Sequence, residues 1–196
     1  MIIESGIGNG KFAAVDNDNR VLTAAFNIPF THLLAKDYNK VFSIEGNTTP
    51  GSGDVNVLHV KNNSSSDIVV VTRIVTQAVT LSGGTAIPNS SNYFQLLTGY
   101  TYSSGGLAAP VNNTTSGSAV TSDVIAYDSN PTLTGSGVSL GRYYPVNAAP
   151  FELRTDGSIL ILPQQSFTIG YTGDHTGGFL YAAVGLAVVG ADGYSG

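Results

Sequence analysis

The 196 residues contain no cysteine, no tryptophan and a single methionine. The missing cysteine removes disulfide frameworks, thiol nucleophiles and thiolate metal sites together. Stability must therefore come from burial or from association. Charge is scarce too, with 11% of residues charged against roughly 25% in ordinary soluble domains. Eight basic residues stand against thirteen acidic ones, for a net charge of -5. Such a surface lacks the cationic footprint that phosphate backbones and anionic lipid require, so neither nucleic acid nor a membrane is expected as a partner. The longest apolar run, Phe179 to Val189, contains Gly185 and is far shorter than the roughly 20 residues of a spanning helix. Residues 1–10, MIIESGIGNG, lack the positive start and sustained apolar core of an export signal.

Helical periodicity is the next absence. Apolar residues come in short β-branched and aromatic runs bounded by Gly, Asn, Asp, Ser and Pro, the signature of an all-β sandwich or barrel. A helical turn is expected only around Thr31 to Tyr38. KFAAVD and RVLTAAFN flank Asn17-Asp18-Asn19, which predicts a hairpin with a loop of one to three residues. Further strands are expected at 39–45, 54–61 and 67–80. Toward the C-terminus, FELRT and SILILP are separated by Asp156-Gly157, a strong two-residue hairpin signal. SFTIGYT follows and predicts a three-stranded meander, closed by a last strand in FLYAAVGLAVV.

From about Ser82 to Ala149 the composition shifts to Ser, Gly, Asn, Thr and Pro, with weak strand patterns only at NYFQLL and DVIAYD. Two readings stay open: a long insertion, functional or held by a partner, or ordinary sandwich strands blurred by polar residues. The fold expected is thus an antiparallel β-sandwich, jelly-roll-like, spanning 11–196 with an insertion at about 82–149, preceded by a flexible arm at 1–10. SFTIGYT alternates as a half-exposed strand should. In DIVVVTRIV, by contrast, Ile68, Val70 and Ile74 line one face and Val69, Val71 and Val75 the other. A two-layer sandwich covers one face of each strand, so doubly apolar strands need a further cover, either the insertion or another subunit.

No catalytic constellation stands out. His59 reads as an ordinary strand residue and His32 has no partner at ligand spacing. His175 beside Asp174 on a Gly-rich loop reads as turn chemistry without a nucleophile nearby. Asp16-Asn17-Asp18-Asn19 begins like a calcium loop, but Val21 and Asn27 occupy the places of its Gly and Glu. The glycines before Lys11 have the wrong spacing for a phosphate loop. Sequons at Asn47, Asn62, Asn63, Asn89, Asn112 and Asn113 are expected by chance in a chain so rich in Asn, Ser and Thr. The expectation is no enzyme, no cofactor and no metal. The aromatic patch of Tyr93, Phe94, Tyr100 and Tyr102 contains no Asp or Glu, and it suits a protein interface better than a sugar platform.

The hairpin segment GNGKFAAVDNDNRVLTAAF, then HVKNNSSSDIVVVTRI, and SILILPQQSFTIGYTG before a final apolar strand resemble the small jelly-roll virion proteins of tailed bacteriophages. These are head-decoration (cement) proteins and related collar or tail accessory proteins. The resemblance covers 10–80 and 150–190. It implies a homo-oligomer, often a trimer, that folds in the bacterial cytoplasm and binds the major capsid protein or another virion protein, stiffening the shell. It carries no residue-level assignment. The shell contacts are expected from the N-terminal arm, residues 1–10, or from the 82–149 insertion, with Ile2, Ile3, Ile7, Tyr93, Phe94, Tyr100 and Tyr102 as the candidate interface residues. A receptor- or glycan-binding fibre or adhesin module is the alternative.

Overall fold

The structure, a computed structural model, describes residues 3–4, 12–15, 21–22, 40–51, 53–79, 92–115, 117–145, 149–173 and 177–190. The chain divides into two compact units, Met1–Phe30 and Thr31–Gly196. In the first, β1 (Ile3–Glu4), β2 (Phe12–Val15) and β3 (Val21–Leu22) make a small antiparallel sheet. Ile3 and Glu4, in the segment expected as a flexible arm, pair with Ala13 and Phe12. The expected hairpin is present, its pairing closing at Val15 and Val21. Its turn residues, the possible helical turn at 31–38, His32 and the Asp174-His175 pair lie outside the described residues.

The second unit is a β-sandwich, and no helix occurs among its described residues. Its strands are β4 (Val41–Thr48), β5 (Gly53–Asn62), β6 (Ile68–Val79), β7 (Tyr93–Thr98), β8 (Thr101–Ser104), β9 (Leu107–Ala109), β10 (Val111–Asn113), β11 (Val124–Asp128), β12 (Thr132–Thr134), β13 (Val138–Tyr143), β14 (Phe151–Ile161), β15 (Ser166–Gly173) and β16 (Phe179–Val189). One sheet has the order β10-β4-β16-β6-β14, the other β13-β7-β15-β5-β11-β9. Successive strands β4 to β7 and β13 to β16 alternate between the two sheets, which is the jelly-roll topology. Between β7 and β13 lies an excursion: β9 and β11 extend one sheet, β10 extends the other, and β8 with β12 forms a separate two-stranded ribbon.

The segment expected as one insertion at 82–149 is therefore composite. Tyr93–Thr98 and Val138–Tyr143 are framework strands of the six-stranded sheet, and the insertion proper lies between them. Polar residues on the outer face of β7 blur its alternation, while Phe94 and Leu96 point into the core.

Two expectations about the C-terminal third are corrected. Asp156-Gly157 is no hairpin turn. Both flanks pair antiparallel with the same strand, Phe151 to Arg154 with Thr76 to Arg73 and Ile159 to Ile161 with Val71 to Val69, so β14 runs straight on through a bulge. A positive φ of 81° at Gly157 admits the surplus residues, a role for glycine as natural as a hairpin. The Thr155 hydroxyl fastens the bulge by donating to the Val71 carbonyl. Nor is the region a meander, because β14, β15 and β16 lie alternately in the two sheets. The LPQQS string is a crossover between layers: the Gln164 amide donates to the Asn63 carbonyl at 2.9 Å and to the Ser64 carbonyl at 3.0 Å.

A second bulge explains much of the doubly apolar pattern of β6. Against β16, pairing passes from Gly185–Arg73 to Leu186–Val71, skipping Thr72. Because side chains alternate with period two, one extra residue switches faces. Val69, Val71 and Ile74 consequently all enter the core. Gly185 makes room, since a Cβ there would meet Thr72 Oγ1 at 3.0 Å. What remains outside is a smaller buried cluster of Val70, Ala187 and Val189 with Val41 against it.

Candidate binding face

The residues singled out in the sequence are dispersed by the fold. Phe94 is 1% exposed and packs edge-on against Tyr171, with ring centroids 5.1 Å apart, so it belongs to the core and offers no interface. Ile2 and Ile7 lie outside the described residues, and Ile3 is described only as a strand position. Tyr93, Tyr100 and Tyr102 all belong to the outer face of the six-stranded sheet or to its cover. They mark two different halves of it.

In the first half the ribbon of β8 and β12 folds back across the sheet. Tyr102 on β8 stacks on Tyr127 of β11, centroids 3.7 Å apart and planes 5° from parallel. The Tyr100 carbonyl accepts from the Ser166 hydroxyl on β15. Past Ser129 and Asn130, both with positive φ, the turn into β12 is tied to β5: Asn130 Oδ1 accepts from the Asn56 amide N–H and the Pro131 carbonyl from the Asn56 side chain, each at 3.0 Å. Beneath lie His59 and Thr168, cross-strand partners and both 0% exposed. The expectation of a half-exposed SFTIGYT strand fails here, because the insertion covers its polar side.

His59 Nδ1 lies 2.8 Å from Thr168 Oγ1, while Nε2 is buried without a hydrogen-bond partner. Burial, assisted by the nearby Lys61 charge, lowers the imidazole to about 4. Removing a group from water disfavours its charged form, and a neighbouring cation adds to that. The strand pattern VNVLHVK identifies His59 as a sheet residue but says nothing of what lies over it.

The second half of the face is open. Arg142 on β13 sits over the Tyr93 ring, its guanidinium carbon 4.6 Å from the centroid, and Tyr144 meets Tyr93 edge-on at 6.0 Å. Beside them Gln95 Nε2 donates to Thr172 Oγ1 at 2.9 Å, and the Thr172 hydroxyl donates to Asp54 Oδ1 at 2.6 Å. Thus the carboxylate and cation missing from the local Tyr patch are supplied by β5 and β13. Stacking leaves the guanidinium edge and its donors free for a planar acceptor. Only pairing of Tyr93 with Thr172 and of Gln95 with Arg142 assembles this group. No run of sequence contains it.

At the side of the sandwich, the edge strands β13 and β14 flank a cavity of about 330 Å3, lined by Leu96, Leu140, Tyr143, Leu153, Thr155 and Ile159 among others. Around it large apolar side chains reach solvent, notably Val138 (63% exposed) and Leu140 (50%). Comparison with family models, curated proteins and solved structures finds no match for the chain.

Proposed function

We propose that this chain is a non-enzymatic virion structural protein, a decoration or cement subunit that assembles with itself, with a trimer favoured, and attaches to the outer shell. The observation that carries the reading is the apolar pair of sheet edges formed by β13 and β14. Among the described strands, β13 and β14 end their sheets at one side, as β9 and β10 do at the other, and it is on or next to β13 and β14 that Val138, Leu140, Phe151, Leu160 and Leu162 are exposed. Edges left open beside apolar side chains invite association and are usually blunted in proteins that remain alone. Jelly-roll topology and the resemblance of its segments to small phage virion proteins support the same reading. Attachment would stabilise the shell by mass action, each bound subunit adding its binding free energy to the state it recognises.

The test is the copy number in purified particles. Symmetric binding to a shell predicts on the order of hundreds of copies, and a collar or tail position about six or twelve. Intact particles free of the protein would overturn the proposal.

One observation favours a second reading, a glycan- or receptor-binding module: the open half of the outer face, where Tyr93, Arg142 and Tyr144 stand beside the Gln95–Thr172–Asp54 chain. Binding on an oligosaccharide array that is lost in Tyr144→Ala and Arg142→Ala would support it, and an array without specific binding would count against it.

A further inference from the structure

The two sides of the sandwich are built differently, and the differences are complementary. On one side the chain itself bridges the sheets: β9 ends at Ala109 in the six-stranded sheet, and after Pro110 β10 begins at Val111 in the five-stranded one. On the other side β13 and β14 flank the cavity of about 330 Å3. Both of these edges bulge at the cavity. Pairing of β13 passes from Ser139–Leu97 to Gly141–Leu96 around Leu140, and that of β14 from Arg154–Arg73 to Ile159–Val71. A bulge interrupts the ladder that an added strand would continue. At this level a partner therefore meets a hole lined by side chains and no strand template.

The bridged side carries a knob. Leu107, the first residue of β9, is 65% exposed, more than any other large apolar residue among those described. Its base is held firmly. Gly106 before it has a φ of 68°, and a Cβ there would collide with the Asp128 carbonyl. Two residues on, Ala109 is buried in the core. A side chain presented from a fixed backbone loses little freedom on insertion. Leu96, Leu140, Leu153 and Ile159 supply the apolar lining of the cavity. A comparable lining around about 150 Å3 takes up a benzene ring, so the larger space admits a leucine side chain.

Charge agrees with shape. Opposite Leu107 in the β9–β11 pairing stands Asp128, its carboxylate accepting from the Asn47 N–H at 3.1 Å and the Ser129 hydroxyl at 3.2 Å. Arg154 borders the cavity, with its side chain 78% exposed. Its Nε donates to Glu152 at 3.2 Å, a bond that leaves the two terminal guanidinium nitrogens for a further acceptor.

Taking self-association as given, we propose that copies of this chain join head to tail: Leu107 of one enters the cavity between β13 and β14 of the next, and Asp128 beside it meets Arg154. Such a contact is heterologous, with different surfaces on its two sides, and closes into a ring such as a trimer when the rotation per copy allows. A two-fold contact of the cavity side with itself would set cavity against cavity and fill neither.

Engineered cysteines test the contact, since the chain has none of its own. Leu107→Cys/Leu140→Cys and Leu107→Cys/Ser158→Cys each place one thiol on the knob and one on the lining. Leu107, Leu140 and Ser158 are exposed, so folding is little affected. Oxidation at micromolar concentration should lock at least one double variant into covalent multiples of the chain, while the single variants stay uncross-linked. Leu107→Asp should weaken association on the order of 30-fold, as loss of a buried anchor does. The native mass of the unaltered chain separates the two claims. An oligomer whose double variants fail to cross-link, whose Leu107→Cys links to itself as readily, or whose mass survives Leu107→Asp overturns the head-to-tail contact and leaves self-association standing. A monomer overturns both.

Discussion

The two halves of the outer face of the six-stranded sheet differ although the same strands, β5 and β15, run through both. Under the ribbon, the face is buried: His59 and Thr168 are 0% exposed and meet through a hydroxyl–imidazole contact. A few residues along, Asp54 and Thr172 meet in a solvated chain of hydrogen bonds, and Arg142 lies on an accessible tyrosine. Polarity of the strands does not distinguish the halves. The insertion does, by covering one and sparing the other. Cover thus sets the energetics of a strand's polar residues: in the first half burial penalises the charged form of the imidazole.

The largest effect is expected below both halves. Phe167, 0% exposed, sits on the inner face, and Phe167→Ala should cost about 3–5 kcal/mol of unfolding free energy by denaturant titration. It should weaken covered and open halves alike, so an effect confined to the ribbon would contradict the inner-face assignment. Acid comes next. With His59 lowered to about 4, lowering the pH from 7 to 4 should remove about 3 kcal/mol of stability, an amount present above 6.5 and lost on descent. Denaturation midpoints across that interval should flatten in His59→Gln.

Tyr102→Ala removes the stack on Tyr127 and should cost about 1 kcal/mol, with faster amide exchange in the ribbon and little change in the five-stranded sheet. Smallest is the open half. Thr172→Val breaks the link from Gln95 to Asp54 and should cost about 0.5–1 kcal/mol because water replaces its partners. A loss as large as that of Phe167→Ala would mean that the open half is covered as well.

The strands of the sandwich were legible where one face is apolar and the other is not. VFSIE and the alternating stretch of β15 announce themselves by period two, and β4, β5, β6 and β16 lie where their apolar runs predict. Reading fails where a distant partner decides. Asp156-Gly157 has the chemistry of a hairpin, but β6 offers a template to both flanks and the glycine becomes a bulge. The two faces of DIVVVTRIV look equally apolar until Thr72 is skipped and the alternation changes side. The candidate face is the least legible part. Thr172 and Asp54 are 118 positions apart, and no local pattern says that a β7–β13 insertion will fold back over His59. The extra cover was expected for the doubly apolar strands β6, β14 and β16 of the five-stranded sheet, whereas the insertion lies against the polar outer face of the six-stranded one.

Self-association is expected because the apolar edges of β13 and β14 have no cover among the described residues. Native mass spectrometry at micromolar concentration tests it most directly. A dominant species at a whole multiple of 20.2 kDa is expected, with a trimer favoured, that shifts toward monomer in Leu140→Asp. A stable 20.2 kDa monomer under those conditions would contradict it.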